Sequence, residues 1–258
     1  MSEFRLTVLG ASPAWANPGG ACSGYLASRG RDRVLFECGF GVLGRLRERL
    51  PLDELSAVVI SHLHADHFMD LVPLRYGLKY GHLREDPRLP LYAPSGATEF
   101  FARLGRALDG DPHFFDETYD LNEYSPETPL EIGSLAFEFR LVRHYVPSYA
   151  MAIRAGRRLV FSADAAPCEA LRDLAEGADL FLCEAAIDGR EEDDPNPDHR
   201  GHMTAVEAGT VAHEAGVTRL LLTHYRSNTA RNGQILREAS DAFGGPTELA
   251  LEGRSYDV

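Results

Sequence analysis

The sequence predicts an α/β protein, and three observations carry that prediction. Short apolar and β-branched runs alternate with segments whose apolar residues recur at three and four. Ser-His-Leu-His-Ala-Asp-His, residues 61–67, falls where one such strand run passes into one such helix. Three later strand runs each lead to a residue of ligand type, His144, Asp164 and His224. Open α/β architectures commonly place their sites at strand-to-helix junctions of this kind.

Residues 4–9, 24–27 and 33–38 read as strands, with Gly-Ala-Ser-Pro and Asn17-Pro18-Gly19-Gly20 as loops between them. Residues 42–50 have helical spacing, and 55–60 form a β-branched run that feeds the histidine motif. Phe68, Leu71, Leu74 and Leu78 recur at three and four, so one helix is expected over 67–80. In the second half, 135–142, 159–162 and 220–223 read as strands, and a helix is expected from about Thr204.

Composition sets the outer bounds. A chain of 258 residues with 44% hydrophobic and 25% charged content can bury a large core, and no low-complexity linker divides it. One domain over 1–258 is expected. No charged-then-apolar leader is visible, and no apolar run approaches the roughly 18 residues of a membrane span, so the expectation is a cytoplasmic protein. Cys22, Cys38, Cys168 and Cys183 are scattered without a Cys-x-x-Cys pair, which argues against a disulfide framework or a thiolate zinc knuckle. The net charge of -13 disfavours a general nucleic-acid binder, because phosphate backbones are held through Lys and Arg clusters. It leaves open a small anionic substrate at a metal site.

The motif at 61–67 holds His62, His64, Asp66 and His67, and imidazole with carboxylate suits a borderline divalent ion such as zinc. A bland alternative is a solvated polar loop. A lone His or Asp after a strand is more often a turn residue or a helix cap. Three such residues together with the first motif make a site.

These residues resemble the metallo-β-lactamase-fold hydrolases, and among them the ribonuclease Z-like phosphodiesterases. The resemblance covers nearly the whole chain. It rests on residues 61–67, Arg-His-Tyr-Val-Pro-Ser-Tyr at 143–149, Phe-Ser-Ala-Asp at 161–164, Cys-Glu-Ala-Ala at 183–186, Gly-His-Met-Thr at 201–204 and Leu-Thr-His-Tyr at 222–225. The first motif points to the superfamily, and Gly-His-x-Thr narrows the reading towards phosphodiester hydrolysis. The implied fold is a four-layer αββα sandwich with the metals at one edge between the sheets.

The resemblance further implies a dinuclear centre. His62, His64 and His144 would hold one metal, Asp66, His67 and His224 the other, with Asp164 bridging. Zinc is the expected metal, with manganese or iron as alternatives. True β-lactamases of this superfamily carry a cysteine ligand, and none of the matched positions is Cys. A hydroxide bridging the two metals would be the nucleophile. Asp66 would orient it, His202 would assist the departing oxygen, and Glu184 would hold the His202 imidazole. His199 competes with His202 for the acid role. Glu184 could instead be a cap or salt-bridge residue. Glu37 stands where the superfamily usually has an Asp behind the metal loop.

Transfer-RNA-processing members insert a long arm between the positions of His144 and Asp164. Here that interval has room for a turn and two strands, so tRNA is not the expected substrate. A small phosphodiester is, and the compact arrangement resembles cyclic-nucleotide phosphodiesterases. Arg226 and Asn228 are candidate contacts for a phosphate or base edge. Trp15, Tyr145 and Tyr149 are candidate stacking surfaces, with packing the competing role. Other readings are a ribonuclease Z-like nuclease, a carboxylic ester, thioester or lactone hydrolase, and a non-catalytic metal-dependent binding module. A homodimer is compatible with the fold, and no sequence feature specifies one.

Overall fold

The computed structural model describes residues 3–81, 88–188, 196–227 and 229–258. The first half supplies β1 (Phe4–Gly10), β2 (Gly24–Arg29), β3 (Asp32–Cys38), α1 (Val42–Arg47), β4 (Ala57–Val59), α2 (Ala65–Phe68), α3 (Leu71–Tyr80), β5 (Leu89–Ala93), α4 (Ala97–Asp109) and β6 (Tyr119–Glu123). The second supplies β7 (Leu130–Ile132), β8 (Leu135–Val142), β9 (Ser148–Arg154), β10 (Arg158–Phe161), α5 (Glu169–Ala175), β11 (Leu180–Glu184), α6 (Ala205–Glu214), β12 (Leu220–Thr223), α7 (Thr229–Phe243) and β13 (Thr247–Leu249). A last strand, β14 (Ser255–Asp257), returns to pair with β1.

Two seven-stranded sheets result, ordered β14-β1-β2-β3-β4-β5-β6 and β13-β12-β11-β10-β9-β8-β7. In each, hairpin-linked antiparallel strands give way to parallel strands, at β3 in one sheet and β10 in the other. Parallel pairing demands a crossover, and the helices supply it.

Because side chains alternate across a strand, each sheet has two apolar faces to cover. The inner faces meet each other: Leu6, Val8, Tyr25 and Phe36 of one sheet pack with Phe137, Met151, Ile153 and Phe161 of the other. Phe161 lies with its ring centroid 5.2 Å from Tyr25 and 5.5 Å from Phe36, which ties the sheets together. The outer face of the first sheet is covered by α1, α3 and α4 through residues such as Leu46, Leu74 and Phe101. The second is covered by α5, α6 and α7 through Leu171, Val211 and Ala239. The layers are therefore αββα, as the sequence resemblance implied.

Two helices differ from the expectation. The helix expected over 67–80 is broken between α2 and α3, because the Asp70 N–H turns aside to the Cys38 carbonyl at 2.9 Å. The Asp70 carboxylate meanwhile accepts the Leu43 N–H at 2.8 Å, binding this break to the start of α1. The helix expected over 42–50 stops at Arg47, where the N–H groups of Arg49 and Leu50 both close onto the Leu46 carbonyl ahead of Pro51. Cys22, Cys38 and Cys183 are buried, Cys168 is half-buried, and all four are free thiols. Among the described residues no helix is long and apolar enough to cross a membrane.

Candidate metal centre

The strand ends converge at one edge of the sandwich. Beyond β4 the chain bends at Ser61 and His62 and enters α2 through the extended His64, and the first turn of α2 carries Asp66 and His67. Beyond β8 comes His144, beyond β10 Asp164, and beyond β12 His224. His62, His64, His144 and Asp164 bring one ligand atom each within 4.8 Å of one another, as do Asp66, His67, Asp164 and His224. Asp164 belongs to both groups. The seven expected ligands are thus together, in the two sets expected.

The imidazoles are held from behind. His144 Nδ1 donates to the Gly201 carbonyl at 2.6 Å, so in the neutral ring its Nε2 is a lone pair. His67 Nδ1 sits 2.7 Å from Glu37 Oε2, while Glu37 Oε1 accepts the Ser61 N–H at 2.8 Å. His62 Nδ1 meets the Ser61 hydroxyl at 2.9 Å, and His224 Nδ1 the Ser23 hydroxyl at 3.0 Å. Such partners fix ring orientation and raise ligand basicity. The front atoms then crowd: His64 Nδ1 lies 3.2 Å from His62 Nε2 and 3.1 Å from His144 Nε2. His67 Nε2 is buried without a hydrogen-bond partner, 3.3 Å from an oxygen of Asp66 and 3.3 Å from one of Asp164.

The backbone is bent to achieve this. Glu37 (φ 61°), Ala163 (φ 52°) and His224 (φ 52°) are the described non-glycine residues with positive φ, and all three are in the site or adjacent to it. A left-handed conformation costs an ordinary residue energy, so it persists where the surroundings over-determine it.

Charge follows from burial and proximity. Burial pushes the His62, His64, His144 and His224 rings below the usual imidazole range. His67 goes the other way: burial opposes its charge, but Asp164, Asp66 and Glu37 around it hold its proton well above that range. For Asp164 burial is likewise outweighed, by His224 and His67, and its carboxyl is held well below the usual carboxylate range. A divalent cation among these carboxylates would take over the role of the His67 proton. Neutral imidazole nitrogens, two carboxylates and an orphaned buried nitrogen suit such ions.

His202 stands beside this cluster. Its Nδ1 is 2.9 Å from Glu184 Oε1 and 3.9 Å from Asp164 Oδ2. Burial works against its charge, and the Glu184 and Asp164 carboxylates more than compensate, pushing its pKa up to about 9. Glu184, fully buried, also accepts the N–H groups of Ala165 at 2.7 Å, Ala186 at 3.2 Å and Met203 at 3.4 Å. It is a structural anchor and an imidazole holder at once. Thr204, two residues past His202, caps α6 in a reciprocal capping box with Glu207 and so fixes where the helix begins. His199 lies in an exposed 3-10 turn, 3.3 Å from the Asn196 amide, and is not in the metal-type groups.

Other sequence candidates divide. Trp15 and Tyr145 are exposed, at 59% and 65%, against the packing role weighed for them. Tyr149 does pack, edge-on to Tyr124 at 5.6 Å. Arg226 pairs with Asp188 at 2.8 Å, and Asn228 lies outside the described residues. Sequence reasoning missed Ser23, Ser61 and the Gly201 carbonyl. Ser61 and Gly201 open two of the motifs, without any mark of the bonds they make, and nothing local marks Ser23, which reaches His224 across 201 positions.

Comparison with known proteins agrees with this architecture. Residues 32–225 match the family model "Beta-lactamase superfamily domain". A Mycobacterium leprae protein, ML1173, is 34% identical, over 98% of this chain and 88% of its own. "Probable metallo-hydrolase YhfI" of Bacillus subtilis is 31% identical, over 97% of this chain and 98% of its own. The YhfI crystal structure superposes with a TM-score of 0.87 at 29% identity, covering 100% of both chains. Ribonuclease Z of Brevibacillus brevis is 27% identical over 74% of each chain. The chain belongs to the β-lactamase superfamily, as a metallo-hydrolase of that fold.

Proposed function

We propose that the chain is a two-metal phosphodiesterase, with zinc as the metal and small phosphodiesters, cyclic nucleotides first among them, as substrates. The observation that carries this reading is the His202–Glu184 pair: a histidine with a raised pKa beside the carboxylate shared by both ligand sets. Hydrolysis of a carboxylic ester needs less help at its leaving group than does cleavage of an unactivated phosphodiester. A placed acid therefore favours the phosphodiester.

His62, His64 and His144 would hold one ion, Asp66, His67 and His224 the other, and Asp164 both. Bound there, two divalent cations supply a water deprotonated near neutral pH and positive charge against the phosphoryl oxygens. Asp66, with one oxygen towards His67, has a second with which to orient the attacking water. His202 would pass its Nε2 proton to the departing oxygen, while Glu184 at Nδ1 keeps the ring turned towards the site.

A second reading, RNA processing, draws on the likeness to ribonuclease Z. The net charge of -13 weighs against it, and so does the plain β9–β10 hairpin between His144 and Asp164. The test is hydrolysis of a panel by zinc- or manganese-loaded protein: cyclic nucleotides, an activated phosphodiester, short RNA with a 3′ extension, and a lactone. An Asp66→Ala control runs beside it. Turnover confined to the small phosphodiesters and absent from the control is expected. Turnover of the lactone alone would overturn the reaction, and preferential cleavage of the RNA would transfer the reading to a nuclease.

A further inference from the structure

Next to the metal-type cluster is a pocket of about 170 Å³ whose walls include Trp15, Ala186, Ile187 and Arg226 together with His202 and His224. His224 belongs to the cluster and His202 stands beside it, so a phosphate seated there would project its ester substituent into this pocket. Trp15 is 59% exposed, so one face of its ring is open to a ligand on the rim of the site. The Arg226 guanidinium carbon lies over the indole, 5.5 Å from its centroid. Arg226 is in turn bound to Asp188 at 2.8 Å, and Arg231 pairs with the same carboxylate, which is only 2% exposed. The indole therefore has a fixed cationic neighbour and an open remainder.

We infer that Trp15, braced by Arg226, is the stacking surface for the nucleobase of the substrate, so that nucleoside phosphodiesters are preferred to aliphatic ones. The inference rests on the phosphodiesterase reading above. Stacking on an aromatic ring needs no match of donors and acceptors, so it accepts any base and rewards the larger purines. Ala186 and Ile187 add apolar surface without polar selectivity. Arg226 acts through Trp15 and is a positioning residue.

Trp15 is the sole tryptophan of the chain, so its fluorescence reports on this pocket directly. Metal-loaded protein is titrated with adenosine monophosphate and with ribose 5-phosphate while hydrolysis of cyclic nucleotides is followed in parallel. Quenching by the nucleotide and not by the sugar phosphate is expected. Trp15→Ala should raise KM for a nucleoside cyclic phosphate about tenfold, with kcat changed less than about threefold, and Trp15→Phe should restore most of the loss. Hydrolysis of cyclic nucleotides with silent Trp15 fluorescence and an unchanged KM in Trp15→Ala would overturn the inference and leave the reaction standing. A rise in KM from Tyr145→Ala instead would move the base to Tyr145 and overturn it equally. Quenching by the nucleotide without turnover of any phosphodiester would sink the reaction and keep the stacking site.

Discussion

His202 lies between two carboxylates with different tasks, Asp164 in the ligand sets and Glu184 behind the ring. If it donates a proton to the departing oxygen, His202→Ala should lower kcat by about 10²–10⁴ and hurt a basic leaving group more than an activated one. Metal content should remain at two equivalents. Equal losses for both leaving groups would indicate mere positioning. The sign of the pH effect follows from the raised pKa. The acid works only when protonated, so activity is present below that pKa, about 9 without metal, and is lost as pH rises through it. Bound cations nearby pull this alkaline limb downwards, and Glu184→Gln should pull it further by removing the neighbouring negative charge. A kcat profile with the same alkaline limb in both proteins would reject the pairing. Glu37 offers a separate test, because it touches His67 and not the substrate site. Glu37→Gln should weaken metal affinity about 10–100-fold, as measured by titration in metal buffers.

At the scale of elements, the site depends on how closely α2 approaches β3 and the turn after it. A Cβ at Gly39 would overlap the backbone carbonyl of Asp66, so no side chain fits there without moving α2 and its two ligand-type residues. Gly39→Ala should cost about 1–3 kcal/mol in stability and lower bound metal; a variant with unchanged Tm and full metal content would refute this close-approach argument. Such contacts also explain what the sequence could and could not convey. Strand 135–142 was legible from its alternation and strand 220–223 from its unbroken apolar run, and the ligand-type residues because they sit just past them. The αββα layering came through the resemblance, since periodicity alone does not say which faces meet. The break between α2 and α3 was not legible, because its cause is the tie from Asp70 to Cys38, outside the helix pattern. Nor were the hydroxyls of Ser23 and Ser61, ordinary residues made important by where folding puts them.

Across the whole molecule, the candidate centre joins what are otherwise two separately covered sheets. His62, His64, Asp66 and His67 follow a strand of the first sheet, and His144, Asp164 and His224 follow strands of the second. A cation bound by both sets acts as a cross-link that exists only in the folded chain, so its binding free energy adds to folding stability. At free metal a hundredfold above Kd each site contributes about 2.7 kcal/mol. Since about 1 kcal/mol moves Tm by 2–4 °C in a chain of this size, loading both sites should raise Tm by about 10 °C or more over chelated protein. Asp164→Ala should erase most of that increment, because the residue belongs to both sets, whereas His202→Ala should keep it. Acid should shrink the increment. Without metal, Asp164, Asp66 and Glu37 hold a proton on buried His67 against its desolvation, and an incoming cation must displace that proton. Binding therefore strengthens as pH rises and weakens as it falls, and calorimetry in buffers of different ionisation heat should register proton release. An increment that persists in Asp164→Ala, or metal uptake without proton release, would mean that the ions bind elsewhere than between the sheets.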